Sequence, residues 1–372
     1  MKIAYLRRSP PHYPRLTKEC NSLVRLGHRV TYIGWDPTPR EKRPHELHPD
    51  VELRVLELEM ELGRPELLKS LRWYWFMLRS LGFRRFDAVH CVDEEAAVML
   101  APFKHVLFRY LVMDVYDSII KRKASTPLHA WVFRSIRWLA NSVSDRIIET
   151  SEELRETLGK FQSKAVVIFN SPEDPGASVQ GILPPTDGPL LMALGGSINM
   201  RRMALEPLVR VLDRLGPEKI LVMSSGQLTD DYSRQQWVKH PCVRHRWLDS
   251  SAEYFRQLAE CDVVHGVRAD AEDSLYRSLV FPQKVFDAVA VGRPVLVATE
   301  NWVAGWLKQR ELGYSCSFRD DQAMERILME CRERRAQLPA FAARARELYL
   351  REFDWKRMEE RLAALYRQLQ QR

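Results

Sequence analysis

A lysine and an aspartate three residues apart, Lys284 and Asp287, carry the clearest chemical signal in the sequence. They follow Pro282 in a segment with the pattern of a short helix, so both side chains fall on one face, one turn apart. Lys284 and the free N–H groups of the helix N-terminus could bind phosphate, and Asp287 could accept hydrogen bonds from two ribose hydroxyls. The pattern predicts a nucleotide site, with a surface ion pair as the alternative.

The element that would position this pair has its own start and stop signals. Pro282 suits the first helical position, Gly292 suits a left-handed cap, and Pro294 prevents the helix from continuing. The apolar run Val295 to Ala298 then predicts a strand at the centre of a parallel sheet.

The residues from Pro282 to Val295 resemble a known signature, Pro-Asn-Lys-Leu-Phe-Glu-Tyr-Met-Ala-x-Gly-x-Pro-Val. It belongs to GT-B glycosyltransferases of the retaining, family-four type. In that family the acidic residue holds the ribose of a nucleotide-sugar donor, and it maps onto Asp287. Many relatives place a second Glu eight residues upstream, where this chain has Leu279. The resemblance covers nearly the whole chain, including the segments that begin at Arg15 and at Phe353.

A predicted strand over residues 190–194 leads into Gly195 and Gly196, where the backbone is open to a ligand. Arg201 and Arg202 follow within reach of a phosphate. The resemblance implies that a basic residue here grips the donor diphosphate; Arg201 aligns with it, and Arg202 stands where glycine is usual. Two solvated arginines are the alternative. The loop over residues 266–280 is predicted to shape the sugar pocket.

Two aspartates, Asp93 and Asp117, follow strands predicted over residues 87–92 and 106–115. Carboxyl ends of strands are where open α/β sheets bind ligands, so these are the candidate catalytic residues; helix N-caps are the alternative. The family carries histidines nearby, at positions occupied here by Val92 and Ile119. The resemblance implies retention at the anomeric carbon, and an inverting reaction with Asp93 as base stays open.

Two segments of the N-terminal half combine tryptophan with arginine. Residues 67–86 and 131–138 contain no acidic residue, a composition that suits an anionic membrane surface. Core helices with arginines reaching to the rim are the alternative.

The composition narrows the class of protein. A chain of 372 residues predicts two domains, and a net charge of +8 favours acidic partners. No reader motif supports a nucleic-acid partner, and scattered cysteines argue against a zinc site. No G-x-G-x-x-G follows the first strand, which disfavours dinucleotide chemistry. The N-terminus has too short an apolar segment for a secretory signal, so a cytoplasmic location is expected.

Together these observations predict an α/β protein of GT-B architecture, with two Rossmann-like doubly wound domains facing a cleft. The expected division is an acceptor domain over 1–171, a linker over 172–189, a donor domain over 190–352, and a final helix over 353–372 that returns to the first domain. The expected activity is sugar transfer from a nucleotide diphosphate-sugar, without metal or other cofactor, to a glycan or lipid-linked acceptor of the cell envelope. A scaffold that binds the donor without turnover is the alternative.

Overall fold

A computed structural model describes residues 1–39, 45–59, 67–83, 85–119, 126–248, 250–269, 279 and 281–371. The chain forms two compact units, one of Met1–Phe169 with Met358–Arg372 and the other of Asn170–Arg357. Each unit contains a parallel sheet with helices on its faces. The predicted α/β class with two Rossmann-like domains is thereby confirmed.

The N-terminal unit is built on a seven-stranded sheet in the order β3-β2-β1-β4-β5-β6-β7. Its strands are β1 (Lys2–Arg7), β2 (Arg29–Asp36), β3 (Glu52–Glu57), β4 (Ala88–Val92), β5 (Tyr110–Asp114), β6 (Arg146–Glu149) and β7 (Ala165–Val167). Its helices are α1 (Pro14–Arg25), α2 (Leu67–Leu81), α3 (Glu94–Leu100), α4 (Pro127–Val143) and α5 (Glu152–Glu156).

The C-terminal unit is built on a six-stranded sheet in the order β10-β9-β8-β11-β12-β13. Its strands are β8 (Leu190–Gly195), β9 (Ile220–Ser225), β10 (Val243–Arg246), β11 (Val263–His265), β12 (Val295–Ala298) and β13 (Gly313–Cys316). The helices are α6 (Leu205–Leu215), α7 (Asp231–Gln235), α8 (Ser251–Ala259), α9 (Gln283–Ala290), α10 (Val303–Arg310), α11 (Asp321–Glu333), α12 (Leu338–Leu348) and α13 (Trp355–Gln370).

Most of helix α13 belongs to the N-terminal unit, which includes the residues from Met358 onward. There the Glu359 carboxylate accepts a hydrogen bond of 2.6 Å from Ser22 of α1. The Tyr366 hydroxyl lies 3.0 Å from Nδ1 of His90, a buried residue of β4. These contacts fix the end of the chain against the N-terminal sheet.

The strand order reverses once in each sheet, between β1 and β4 and between β8 and β11. The pairing is parallel throughout the described strands, so all carboxyl ends of a sheet meet at one edge. At such a reversal the two crossover connections leave in opposite directions and open a crevice in which doubly wound proteins bind ligands. Residues just after β4, β8 and β11 are therefore placed to contact one.

Helices α2, α3 and α4 cover the same face of the N-terminal sheet. Trp73 and Met77 of α2, Leu100 of α3 and Ala140 of α4 all belong to one buried cluster with side chains of β1, β4 and β5. The outer sides of these helices consequently form one layer. Among the described residues, no helix is long and apolar enough to cross a membrane.

Some local predictions differ from the structure. Strand β5 begins only at Tyr110, because Lys104 and Phe108 form a bridge that turns the chain before it. Pro282 is the N-cap of α9 and not its first residue, with φ of −64° and ψ of 127°. Gly292 does adopt the left-handed conformation expected of it, with φ of 71°.

Candidate functional site

Helix α9 carries the lysine and aspartate singled out in the sequence. Asp287 is only 3% exposed, so the alternative of a solvent-exposed ion pair does not hold. One of its oxygens, Oδ2, accepts a hydrogen bond of 3.1 Å from the Tyr254 hydroxyl of α8. Lys284 is half-buried one turn earlier, near the free N–H groups at the start of the helix. An anionic group and an adjacent diol would find complementary partners on this face.

Two glycine turns at the edge of the C-terminal sheet stand opposite this helix. Gly196, which follows β8, has φ of 89°, and a Cβ there would lie 3.8 Å from Cε of Lys284. Gly226 follows β9 with φ of 113°, and a Cβ on it would lie 2.2 Å from the Gly196 carbonyl oxygen. Neither turn tolerates a side chain without strain, because both φ values are left-handed and the two loops touch. The glycines thus hold open the backbone beside Lys284.

Positive charge is concentrated around Lys284. Burial, and then the nearby charges of Arg268 and Arg202, lower the pKa of Lys284 to about 7, although Asp287 opposes the shift. The backbone carbonyl of Arg202 accepts a hydrogen bond of 3.1 Å from the N–H of Ala269, which ties the two arginine-bearing loops together. Arg201 lies in the same turn with an exposed side chain. The structure therefore brings Gly196, Arg202, Lys284 and Asp287 into one place.

The stretch predicted to shape the sugar pocket, residues 266–280, lies mostly outside the described residues. Of its described part, Leu279 contributes its carbonyl oxygen, which accepts a hydrogen bond of 2.9 Å from Nε1 of Trp302.

Asp93 and Asp117 meet at the edge of the N-terminal sheet. The Asp93 side chain accepts hydrogen bonds from the backbone N–H groups of Tyr116 at 2.8 Å and Asp117 at 2.9 Å. Asp93 does occupy the N-cap position of α3, with φ of 68°, but its side chain makes no cap hydrogen bond to that helix. Burial raises the pKa of Asp93 to about 7 even though both backbone hydrogen bonds oppose the shift. The Asp117 side chain is exposed.

The two positions at which the family resemblance implies histidine are buried. Val92 is 5% exposed and Ile119 is 2% exposed. Tyr116, which sequence analysis did not single out, lies beside Asp93 instead, with its ring 4.4 Å from the Arg7 guanidinium.

Two family profiles match the chain over complementary ranges. The profile of Glycosyltransferase Family 4 matches residues 16–171, and a glycosyl transferase-like profile matches residues 201–364. This chain is a glycosyltransferase. A search of curated protein sequences finds no match.

Solved structures identify the architecture of this glycosyltransferase. Sucrose-phosphate synthase from Thermosynechococcus elongatus superposes with a TM-score of 0.75 at 15% identity, over 99% of this chain and 98% of that one. HepE from Anabaena in complex with UDP gives a TM-score of 0.68 at 15% identity, over 99% of this chain and 100% of that one. WaaG, a glycosyltransferase involved in lipopolysaccharide biosynthesis, gives a TM-score of 0.63 at 13% identity, over 97% of this chain and 98% of that one. The fold is GT-B, as predicted.

A buried charge cluster beneath the Asp93 edge was missed by sequence reasoning. The Arg15 guanidinium of α1 lies 2.9 Å from Glu19 and 2.8 Å from Asp114 of β5. Nε2 of His90 lies 3.6 Å from each of these carboxylates. Burial, with Asp114 next to it, raises the pKa of Glu19 to about 7. Glu19, His90 and Asp114 are near enough together to ligate a cation, but Arg15 already pairs with both carboxylates. The spacing of Arg15 and Glu19 along α1 was the available signal.

The two tryptophan-rich helices of this glycosyltransferase divide their aromatic residues between core and surface. Trp73 is 4% exposed, as expected of a core helix, whereas Trp75 is 68% and Trp131 is 61% exposed. Arg137 is buried, and its guanidinium donates a hydrogen bond of 2.6 Å to the Thr157 hydroxyl. We call the outer side of α2 and α4 the aromatic face; its exposed apolar members are Leu67, Leu68, Leu71, Trp75, Leu128, Trp131, Trp138 and Leu139.

Proposed function

We propose that this glycosyltransferase transfers a sugar from a uridine diphosphate-sugar to a lipid-linked or glycan acceptor in the synthesis of cell-envelope glycolipid or polysaccharide. The observation that carries the donor assignment is buried Asp287, one turn from Lys284 at the start of α9. HepE, which shares the fold, has been solved with UDP and with UDP-glucose. The acceptor class draws support from WaaG and from a lipopolysaccharide galactosyltransferase, WaaB.

In the proposed chemistry, no residue of the donor site forms a covalent bond with the substrate. The bond between the anomeric carbon and the diphosphate breaks, and the leaving diphosphate gains negative charge as it departs. Lys284, Arg202 and the N–H groups of α9 would stabilise that charge, which is the usual means by which preorganised cations speed group transfer. Asp287 would hold the ribose and so keep the donor in register with these cations.

On the acceptor side we assign the proton-handling role to Asp93. A base works best when its pKa is close to the operating pH, and the pKa of Asp93 is raised to about 7. It would take the proton of the acceptor hydroxyl as that oxygen bonds to the anomeric carbon. Asp117, with its exposed side chain, would bind an acceptor hydroxyl.

A thermal-shift screen across nucleotide diphosphate-sugars tests the donor assignment. We expect UDP and UDP-sugars to raise the melting temperature, because a ligand that binds only the folded state stabilises it by about 2.7 kcal/mol at a hundredfold excess over Kd. GDP and ADP serve as controls for base preference. Stabilisation by none of these nucleotides would contradict the proposed function.

The aromatic face supports a membrane-bound acceptor. It joins exposed Trp75 and Trp131 with the exposed arginines Arg72, Arg79 and Arg134, and the helices α2 and α4 contain no Asp or Glu. Because α2 and α4 pack on one face of the sheet, these groups can meet a surface together. Aromatic rings favour the interface and arginines favour anionic headgroups. We therefore propose that the enzyme works at the inner face of an anionic membrane.

Vesicle sedimentation tests this surface. We expect the wild type to bind phosphatidylcholine vesicles that contain phosphatidylglycerol and to bind pure phosphatidylcholine weakly. Changing Arg72, Arg79 and Arg134 to Glu should lower partitioning by about 100-fold or more, since each basic residue near an anionic surface contributes about 1 kcal/mol. Arg137 is left unchanged because it is buried.

A charge-matched variant controls for the loss of net charge. Arg256, Arg310 and Arg326 are exposed residues of the C-terminal unit, and changing them to Glu alters the total charge by the same amount. This control should bind vesicles nearly as well as the wild type. Equal losses in both variants, or indifference of the wild type to lipid charge, would overturn the membrane proposal.

A further inference from the structure

His265 is the last residue of β11, at the point where the strand order of the C-terminal sheet reverses. Its side chain is 0% exposed. Neither of its ring nitrogens has a hydrogen-bond partner among the described residues. A buried polar group without a partner costs roughly 1–3 kcal/mol, so such groups are rare in folded proteins unless a ligand completes them.

The surroundings of His265 point to an anionic ligand. Burial, and then the positive charge of Lys284, lower the pKa of this imidazole to about 3, so it is neutral at physiological pH. A neutral imidazole has one N–H to donate and one nitrogen that accepts. The imidazole is close enough to Lys284, near the N-terminus of α9, to feel its charge. A Cβ on Gly196 would lie 3.8 Å from Cε of the same lysine. The carboxyl ends of β8 and β11 and the N-terminus of α9 thus converge there.

We propose that His265 is a further donor-binding residue, whose ring N–H donates a hydrogen bond to a phosphate oxygen of the nucleoside diphosphate. This inference rests on the proposed function, since it assumes that the diphosphate binds at the start of α9. A neutral donor suits this position because it adds a directed hydrogen bond without adding to the positive charge of Lys284, Arg202 and Arg268. It therefore fixes where the phosphate sits, while the lysine and the arginines supply most of the attraction.

The test compares two substitutions at this position by calorimetry with UDP and with uridine. His265→Leu keeps a side chain of similar size but removes the N–H, whereas His265→Gln retains an N–H donor. We expect the leucine variant to bind UDP roughly tenfold or more weakly, since hydrogen bonds to charged groups are the stronger class. Its uridine affinity should be unchanged. The glutamine variant should recover much of the UDP affinity.

The melting temperature of the ligand-free variant and the comparison of UDP with uridine affinity make the test decisive. The melting temperature of ligand-free His265→Leu should equal or exceed that of the wild type, because a buried unpaired polar group has been removed. UDP affinity that is unchanged in this variant, or that falls together with uridine affinity, would overturn the role of His265. Failure of the wild type to bind UDP would instead refute the proposed donor, so the two failures are distinguishable.

Discussion

Replacing Asp287 by alanine is expected to weaken UDP binding by roughly 1.5–3 kcal/mol, the range for a hydrogen bond to a charged group. Asp287 is 3% exposed, so its carboxylate is shielded from the solvent that would weaken its hydrogen bonds to the ribose. Because the contact is to the ribose, uridine should lose about as much affinity as UDP. Isothermal titration calorimetry with both ligands measures this.

A deoxy ligand and a neighbouring variant sharpen the assignment. UDP that lacks the 2′ hydroxyl should bind the wild type more weakly and should lose less on Asp287→Ala, since one of the two contacts is already gone. Tyr254→Phe removes the hydroxyl that donates to Oδ2 of Asp287 but keeps the carboxylate, so its effect should be smaller. Unchanged UDP affinity in Asp287→Ala would remove this residue from the site.

Lys284 is expected to make diphosphate binding dependent on pH. Its pKa in the ligand-free protein is lowered to about 7, so the ammonium is lost as pH rises above that value. A bound phosphate favours the charged form and raises the pKa again, so binding takes up a proton. UDP affinity should therefore fall between about pH 7 and about pH 8.5. The fall should approach tenfold per pH unit, because each unit of pKa shift corresponds to 1.36 kcal/mol.

Other groups do not account for this pH dependence. The phosphate itself titrates near pH 6, below the range. His265, which lies close to Lys284, stays neutral because its pKa is lowered to about 3; Arg202, Arg268 and Asp287 also face the lysine. Lys284→Met should abolish most UDP affinity and flatten the profile, while uridine affinity stays constant. Lys308→Met, at an exposed position of α10, is the matched control.

Calorimetry in Tris and in HEPES reads the proton uptake directly, since the two buffers differ in ionisation enthalpy. An apparent binding enthalpy that is the same in both buffers, together with a flat pH profile, would show that Lys284 is already charged before the phosphate arrives.

The α9 segment was predictable because its signals are local. The helix start near Pro282, the turn at Gly292 and the strand Val295–Ala298 all follow from residues a few positions apart. Parallel-sheet strands such as β12 read as continuous apolar runs because both of their faces are buried. The edge strand β3, with the sequence ELRVLE and a mostly exposed or half-buried surface, has no such run and was not predicted.

The candidate site was only partly predictable from the sequence, since burial and proximity depend on residues far apart in the chain. Lys284 and Asp287 were found from a spacing of three, but their chemistry depends on Tyr254, which lies 33 residues from Asp287. Arg15 and Asp114, 99 residues apart, form one buried pair that no local pattern predicts.

Local patterns in the sequence were enough to predict the two-domain α/β fold and the segment that resembles the glycosyltransferase signature, because helix, strand and turn signals act over short distances. Only the packing of distant elements shows that Trp73 is buried while Trp75 is exposed, and that Arg137 belongs to the core. It also placed His265 without a described partner beside Lys284. Packing between distant elements sets exposure and the local electric field, and these control which ionisable groups can act on a ligand.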